Sequence, residues 1–160
     1  MPATATKTKS IYLIGGADEF SIKETAAKLA EKLTPKKAGE FGLEVIDGSA
    51  SNQDEALKVL SRLREALETV GLFGGGDKLV WLKNTDLLAD SSTTRAEAVK
   101  EALSELADLL KGGLGDGVVL LISAIGCDRR KTLYKTLEKV GEIQFFEALE
   151  EGKGDADEEI

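Results

Sequence analysis

The chain has 160 residues, of which 42% are hydrophobic and 31% charged, a composition typical of one globular domain with a sizeable core. Its net charge of −8 is concentrated at the end, where the last 14 residues hold seven acids and one lysine, so autonomous binding to nucleic acid is not expected. Histidine is absent and Cys127 is the only cysteine, which excludes Ser-His and Cys-His nucleophile pairs, an internal disulfide and a four-cysteine zinc site. No apolar run is long enough to span a membrane, and the composition fits a reducing cytoplasm.

The first part of the chain alternates strand and helix patterns. SIYLIGG is an apolar run that ends in glycines, and it predicts a first strand. FSIKETAAKLAEKL predicts a helix in which Ser21 and Glu24 form a capping box. LEVIDGS predicts a second strand at the edge of a sheet, half open to water, because Leu43 and Val45 alternate with Glu44.

Two further helices surround a third strand. An amphipathic helix is predicted to begin at Ser51 or Asn52 as its cap and to end at Gly71. KLVWLKN then predicts a strand, and TTRAEAVKEALSELADLLKGG predicts a helix with Thr94 and Glu97 as its capping box.

The last elements indicate the fold class. GVVLLISA is the most apolar run in the chain, as a strand covered on both faces requires. Asp128 is predicted to cap the helix RRKTLYKTLEKV, and EIQFFEA supplies a last strand. The order β-α-β-α-β-α-β-α-β predicts an α/β fold of three αβα layers, with a five-stranded parallel sheet and right-handed crossovers.

The loop after the first strand is where such a sheet would bind a ligand. A phosphate-binding loop needs glycines followed by Gly-Lys-Ser/Thr. Here Gly15 and Gly16 are present, but Asp18 and Glu19 occupy the place of the phosphate and Lys23 lies too far into the helix. The favoured interpretation is a tight strand-to-helix turn, and a vestigial nucleotide site is left open.

A receiver-like or flavodoxin-like signalling domain is an alternative with the same layers. Its acidic cluster would be Asp18, Glu19 and Asp86, but Asp86 comes beyond the strand KLVWLKN and the end of the last strand offers no lysine. A second open question is the cluster of Arg129, Arg130 and Lys131. A solvated face, partly neutralised by a neighbouring aspartate, is favoured over a binding role.

The stretch TVGLFGGGDKLVW places the apolar pair Leu72 and Phe73 among glycines. One interpretation is a lid that folds back over the end of the sheet. The other is a plug for a partner: the two side chains could bury on the order of 300 Å², which corresponds to about 7 kcal/mol before the costs of association.

Four segments resemble one family in order. They are YLIGGADEFSIKE, EVIDGS, GLFGGGDKLVWLKNTDLL and DRRKTLYKTLEKVGEIQFF, which together span about residues 11–147. The sequence resembles the N-terminal domain of the delta subunit of bacterial DNA polymerase III, the clamp-loader subunit that opens the sliding clamp. The resemblance implies an AAA+-like domain with strand order 5-1-4-3-2 and no working nucleotide motif.

The resemblance also implies a site and partners. The family's clamp-binding element maps onto Leu72 and Phe73, with Val70 and Gly71 as the preceding positions. The implied partners are the sliding clamp (the beta subunit) and the other clamp-loader subunits, with DNA contacted only through the complex. The chain is then no enzyme and needs no cofactor, although it belongs to a DNA-directed DNA polymerase complex in the cytoplasm.

The expected domain organisation follows from the same resemblance. Residues 1–9 are predicted to be a disordered lead-in, 10–148 the AAA+-like domain and 149–160 an acidic linker or tail. The resemblance implies helical lid and collar domains that this sequence would lack, so the chain is expected to correspond to a first domain cut at the acidic linker.

Overall fold

The computed structural model describes residues 10–35, 42–68, 77–115 and 117–147. Its strands are β1 (Ile11–Gly16), β2 (Leu43–Asp47), β3 (Lys78–Thr85), β4 (Val118–Ile125) and β5 (Glu142–Phe146). Its helices are α1 (Glu19–Leu33), α2 (Gln53–Glu68), α3 (Ser92–Arg95), α4 (Glu97–Lys111) and α5 (Thr132–Val140). The predicted alternation is confirmed, with the third predicted helix divided into α3 and α4.

The five strands form one sheet in the order β2-β3-β4-β1-β5, and all four pairings are parallel. This is the predicted order 5-1-4-3-2 read from the opposite edge. The most apolar strand, β4, lies at the centre between β3 and β1, where both of its faces are covered.

Helices cover both faces, so the predicted three layers are confirmed. On one face α1 packs through Ile22, Ala26 and Ala30 against a cluster that includes Trp81 and Leu121. On the other face α2, α4 and α5 pack over the larger cluster, which includes apolar residues of all five strands or their flanks.

The predicted capping box of the first helix is wrong. Asp18 is the N-cap of α1: the Ser21 amide donates to Asp18 Oδ1 at 3.3 Å and the Ser21 hydroxyl donates to Oδ2 at 2.7 Å. The helix therefore begins at Glu19, three residues earlier than a Ser21 cap would allow. Both residue types are good caps, and only the position of the turn decides between them.

The third predicted helix is divided by Ala96, whose extended backbone separates α3 from α4. Thr94 takes part in a capping box, but its partner is Ser91 at the start of α3 and not Glu97, so the predicted pair is wrong. The cap of α2 is confirmed as Asn52, whose side chain accepts from the amide three residues later at 2.9 Å.

Strand β2 lies at the edge of the sheet, as predicted, but Leu43 and Val45 are on its exposed face. Leu43 is 36% exposed and Val45 is 42% exposed, whereas Ile46 is fully buried on the opposite face. The reason is the position of α1, which packs on β4, β1 and β3, so that in the described part of the chain no helix is packed on this face of β2.

Candidate functional site

The carboxyl edge of the sheet begins with the turn after β1, where a nucleotide-binding protein would hold phosphate. Gly16 has φ +133°, and a Cβ at this position would collide with the carbonyl of Phe146 at the end of β5. That carbonyl accepts from the amides of Ala17 at 2.8 Å and Asp18 at 3.4 Å. A phosphate cradle needs such amides free to point at the ligand. Here they are used within the protein, so the turn closes on β5.

The side chains of this turn are also internally paired. Asp18 is 9% exposed and its carboxylate caps α1, in the position at a helix N-terminus where a phosphate would otherwise be stabilised. Lys23 forms an ion pair with Glu19 at 2.7 Å, one helical turn along. The tight-turn interpretation is therefore the one that the geometry favours.

Cys127 packs against the turn. A Cβ at Gly15 would lie 2.6 Å from Cys127 Sγ, and the Gly126 amide donates to the Gly16 carbonyl at 2.6 Å. Burial raises the pKa of the Cys127 thiol, with opposing contributions from the Gly16 hydrogen bond and Arg129. The thiol is thus a packing group, without the lowered pKa of a reactive cysteine.

The end of β3 carries a structural motif that sequence reasoning missed. Asn84 has φ +54°, and its amide donates to the buried hydroxyl of Ser123 at 2.9 Å. Trp81 Nε1 donates to the same hydroxyl at 3.0 Å. Asparagine tolerates the left-handed region better than most residues, so Asn84 at the end of an apolar run could have indicated a turn with positive φ.

The next two residues tie β3 to the loop before α2. Thr85 is buried and its hydroxyl donates to the Gly48 carbonyl at 2.8 Å. Asp86 accepts from the Ala50 amide at 3.2 Å, and burial raises the pKa of the Asp86 carboxyl. The segment at the end of β3 thereby positions the start of α2.

The acidic cluster of the signalling alternative does not assemble. Strand β3 continues to Thr85, so Asp86 follows the strand directly, closer than the sequence had placed it. However, Asp86 and Asp18 are each engaged with backbone amides, and Glu19 with a lysine. Among the described residues, no group of three or more acidic, cysteine or histidine side chains could hold a metal ion.

The basic cluster before α5 is largely neutralised by its own surroundings. The prediction that Asp128 caps α5 is wrong. The N-cap is Lys131, which makes no side-chain hydrogen bond to the helix. The Asp128 carboxylate instead accepts from Arg130 Nε and Nη2, each at 2.9 Å, and these bonds lower the pKa of Asp128 to about 2. Arg129 lies 4.4 Å from the ring centroid of Phe145. This arrangement favours the solvated-face interpretation.

The segment 69–76 contains the predicted plug, Leu72 and Phe73. The residues that flank this segment lie at the amino edge of the sheet. On one side is α2, whose last turn keeps Leu67 buried and Glu68 exposed. Arg64 contacts Glu105 of α4 at 3.1 Å and Glu68 at 3.5 Å. The end of α2 is thus packed against the domain and linked to the neighbouring helix.

On the other side the chain enters β3 at Asp77 and Lys78. The Lys78 amide donates to the Gly117 carbonyl at 2.8 Å, and its ammonium contacts Glu44 of β2 at 2.6 Å. Gly117 has φ +81°, and a Cβ there would lie 2.7 Å from Asp77 Oδ1. Both ends of the segment are therefore anchored in well-packed parts of the fold.

The predicted site residues Val70, Gly71, Leu72 and Phe73 lie outside the described residues, as do residues 1–9 and 148–160. Their assignment as a clamp-binding element stays a prediction, and so does the division into lead-in, domain and tail. Among the described residues, no helix is both long and apolar enough to cross a bilayer.

Comparison with known proteins gives two findings. A family model described as DNA polymerase III, delta subunit, matches residues 12–147. Among solved structures, the Bacillus subtilis DNA clamp loader delta protein (YqeN) matches with a TM-score of 0.60 and 20% sequence identity, covering 92% of this chain and 41% of that one. The chain thus spans about two fifths of that relative, and the likeness shows a shared fold. No curated protein sequence matches significantly.

Proposed function

This chain belongs to the DNA polymerase III delta subunit family, and from that premise we propose that it is the domain of a delta subunit that binds and opens the DNA sliding clamp. The observation that carries the proposal is the extent of the family match, residues 12–147, which includes the Leu72-Phe73 pair. The domain would act during DNA replication as a component of the clamp loader.

Leu72 and Phe73 are the proposed anchor. They would insert into an apolar pocket on the clamp, with Val70 and Gly71 completing the element. The firm packing of the end of α2 and of Lys78 supports this role, since an anchor binds more tightly when its flanks lose little conformational freedom on binding. The exposed face of α2 would lie against the neighbouring surface of the ring.

Opening of the ring follows from differential affinity. A domain that binds the sprung conformation of the clamp better than the closed one shifts the population toward the open ring. The shift cannot exceed the ratio of the two affinities, so a hundredfold preference changes the equilibrium by about 2.7 kcal/mol.

Catalysis is assigned to other subunits. The amides of Ala17 and Asp18 are occupied by Phe146, so we propose that this domain neither binds nor hydrolyses ATP. ATP-driven steps would belong to other loader subunits in the cytoplasm, and contact with DNA would arise only in the assembled complex.

The test is binding of the isolated domain to the sliding clamp of the same organism, measured by surface plasmon resonance. We expect the double variant Leu72→Ala, Phe73→Ala to lower the affinity at least about a hundredfold, because it removes most of the apolar area of the anchor. The matched control is Phe20→Ala, which deletes an exposed phenyl ring at the opposite edge of the sheet and should leave the affinity unchanged.

Two outcomes would overturn the proposal. The first is clamp binding that is indifferent to Leu72 and Phe73. The second is phosphorylation of the domain by acetyl phosphate or retention of a yellow flavin, which would support the signalling alternative.

A further inference from the structure

The basic cluster at the carboxyl edge keeps positive charge that its surroundings do not fully balance. Arg130 is paired with Asp128, whose two oxygens accept from its guanidinium at 2.9 Å each. The other nearby carboxylate, Asp90, is bonded through both oxygens to Arg95, at 3.0 and 2.9 Å. The Lys131 ammonium lies 3.9 Å from that same carboxylate. Two carboxylates therefore serve three cations here, before Arg129 is considered.

Arg129 is the cation of the cluster with the least compensation. Its side chain is 58% exposed, and its guanidinium lies over the ring of Phe145. In the described part of the chain its one ion-pair partner is Glu147, whose carboxylate is 3.8 Å away. Glu147 is also the first acid of the acidic stretch that ends the sequence. This ion pair is thus a contact between the beginning of that stretch and the cluster.

The chain after Glu147 starts beside the cluster. Strand β5 ends at Phe146, whose carbonyl accepts from the amides of Ala17 and Asp18 at 2.8 and 3.4 Å, and these bonds fix the exit of the chain at the carboxyl edge. Residues 148–160, which we name the acidic segment, contain six acids and one lysine, a net charge of −5. Because the segment is tethered next to the cluster, its effective concentration there is on the order of millimolar.

An open groove of about 510 Å³ lies between the loops after β3 and β4 and the end of β5. Phe145, Arg129 and Arg130 line it, and the carboxylates in its wall, Asp90 and Asp128, are those already bonded to arginines. They therefore oppose a second acidic group only weakly. The 13 residues of the acidic segment can span about 45 Å when extended, so their length does not limit access to the groove.

We propose that the acidic segment folds back on the basic cluster and forms an intramolecular electrostatic contact, with Arg129 and Lys131 as the principal cations. The inference does not depend on the proposed function, because the cluster lies at the opposite edge of the sheet from the residues that flank the segment 69–76. The contact occupies cations that a polyanion such as nucleic acid would otherwise neutralise. The domain thereby shields its own anion-binding surface.

The test measures the affinity of the domain for heparin, a sequence-independent polyanion, at about 50 mM salt, where exposed charges are weakly screened. The segment variant replaces the six acids by their amides: Glu150→Gln, Glu151→Gln, Asp155→Asn, Asp157→Asn, Glu158→Gln and Glu159→Gln. We expect it to bind heparin about tenfold more tightly than the wild type, because Arg129 and Lys131 become available. A segment variant that binds heparin no more tightly than the wild type would overturn the inference.

A cluster variant, Arg129→Gln with Lys131→Gln, separates a local contact from an effect of overall charge. In this background, neutralising the segment should change the affinity less than about threefold, since no shielded cations remain. The matched control, Lys58→Gln with Arg62→Gln, removes the same charge from exposed positions of α2 and should keep the tenfold gain. Equal gains in all three backgrounds would mean that only net charge matters, and the inference would be wrong.

Amide chemical shifts then locate the contact. Neutralising the segment should shift the amide signals of residues 129–131 more than those of α2, and about 0.5 M salt should produce the same shifts in the wild type by screening. Unchanged signals at residues 129–131 would overturn the inference even if the heparin affinity rose. This comparison uses the segment variant alone, so it decides the question if the cluster variant does not fold.

Discussion

The two edges of the sheet differ in what their backbone groups do. At the carboxyl edge the amides of Ala17 and Asp18 donate to Phe146, and the turn is closed by a glycine that no other residue can replace without collision. At the amino edge, α2 and β3 are firmly packed up to Glu68 and Asp77, on either side of the proposed anchor. One αβα scaffold can thus lose its ligand edge to internal bonding, while its opposite edge carries the two ends of the segment that we propose binds the clamp.

The largest effect on stability is expected when a side chain is introduced at Gly16, in the turn after β1. Gly16→Ala combines a positive φ with a collision against the Phe146 carbonyl, and should lower the free energy of unfolding by about 3–5 kcal/mol. Gly113→Ala at the amino edge is the control: its φ is +90° but nothing lies within 4 Å, so the cost should be about 1–2 kcal/mol. Urea unfolding measures both, and equal losses would contradict the closed turn.

A smaller effect is expected at the end of β3. Ser123→Ala removes the acceptor of Trp81 Nε1 and of the Asn84 amide, and should cost about 2–3 kcal/mol in unfolding free energy. Ser49→Ala, an exposed serine bonded to Asp47, serves as the control with an expected change below about 0.5 kcal/mol. A Ser123→Ala protein as stable as wild type would mean that these donors find other partners.

Two features of the first turn could exclude a nucleotide: the Asp18 carboxylate and the Phe146 carbonyl, which occupies the turn amides. Variants of Asp18, the N-cap of α1, distinguish between them. Asp18→Ala removes the carboxylate and should cost about 1 kcal/mol, while Asp18→Ser keeps a capping oxygen and most of that stability. If the Phe146 carbonyl is what closes the turn, neither variant gains affinity for millimolar Mg-ATP in calorimetry. Tight ATP binding by either variant would show that charge alone had excluded the nucleotide.

The smallest effect is a titration at the carboxyl edge. The pKa of Asp128, about 2, is lowered mainly by Arg130, so the favourable contribution of this carboxylate is present above its ordinary value of 3.8 and is lost as pH falls toward 2. Arg130→Ala should raise the pKa of Asp128 toward 3.8, and the neighbouring variant Arg129→Ala should leave it low. Carboxyl carbon NMR measures both, and a similar rise in both variants would contradict the bidentate pair.

Sequence patterns predicted the elements and the layers, because runs such as GVVLLISA and the helical spacing of apolar residues allow few other arrangements. The strand order was implied by the resemblance to the delta subunit family, and the sheet has that order. Sequence patterns also predicted the tight first turn, since the acidic residues Asp18 and Glu19 stand where phosphate would bind. They did not predict the caps of α1 and α3. Asp18 and Ser21, or Ser91 and Thr94, are all good capping residues, and which one caps the helix depends on where the neighbouring strands end.

The functional surface was also predictable from the sequence only in part. Leu72 and Phe73 could be singled out from the sequence because an apolar pair among glycines is unusual, and their role stays a proposal. The exposure of Leu43 and Val45 could not be predicted, because the alternation in LEVID shows that the two faces of the strand differ but not which face a helix covers.

The sequence by itself determined the αβα fold and the loss of the nucleotide motif, because hydrophobic periodicity and the residue types of one turn are local properties. Only the tertiary structure decided that Phe146 occupies the amides of the first turn, that Asn84 adopts a positive φ over Ser123, and that α1 stops short of β2. These features join residues far apart in the chain, and such contacts depend on how the layers pack rather than on any one segment.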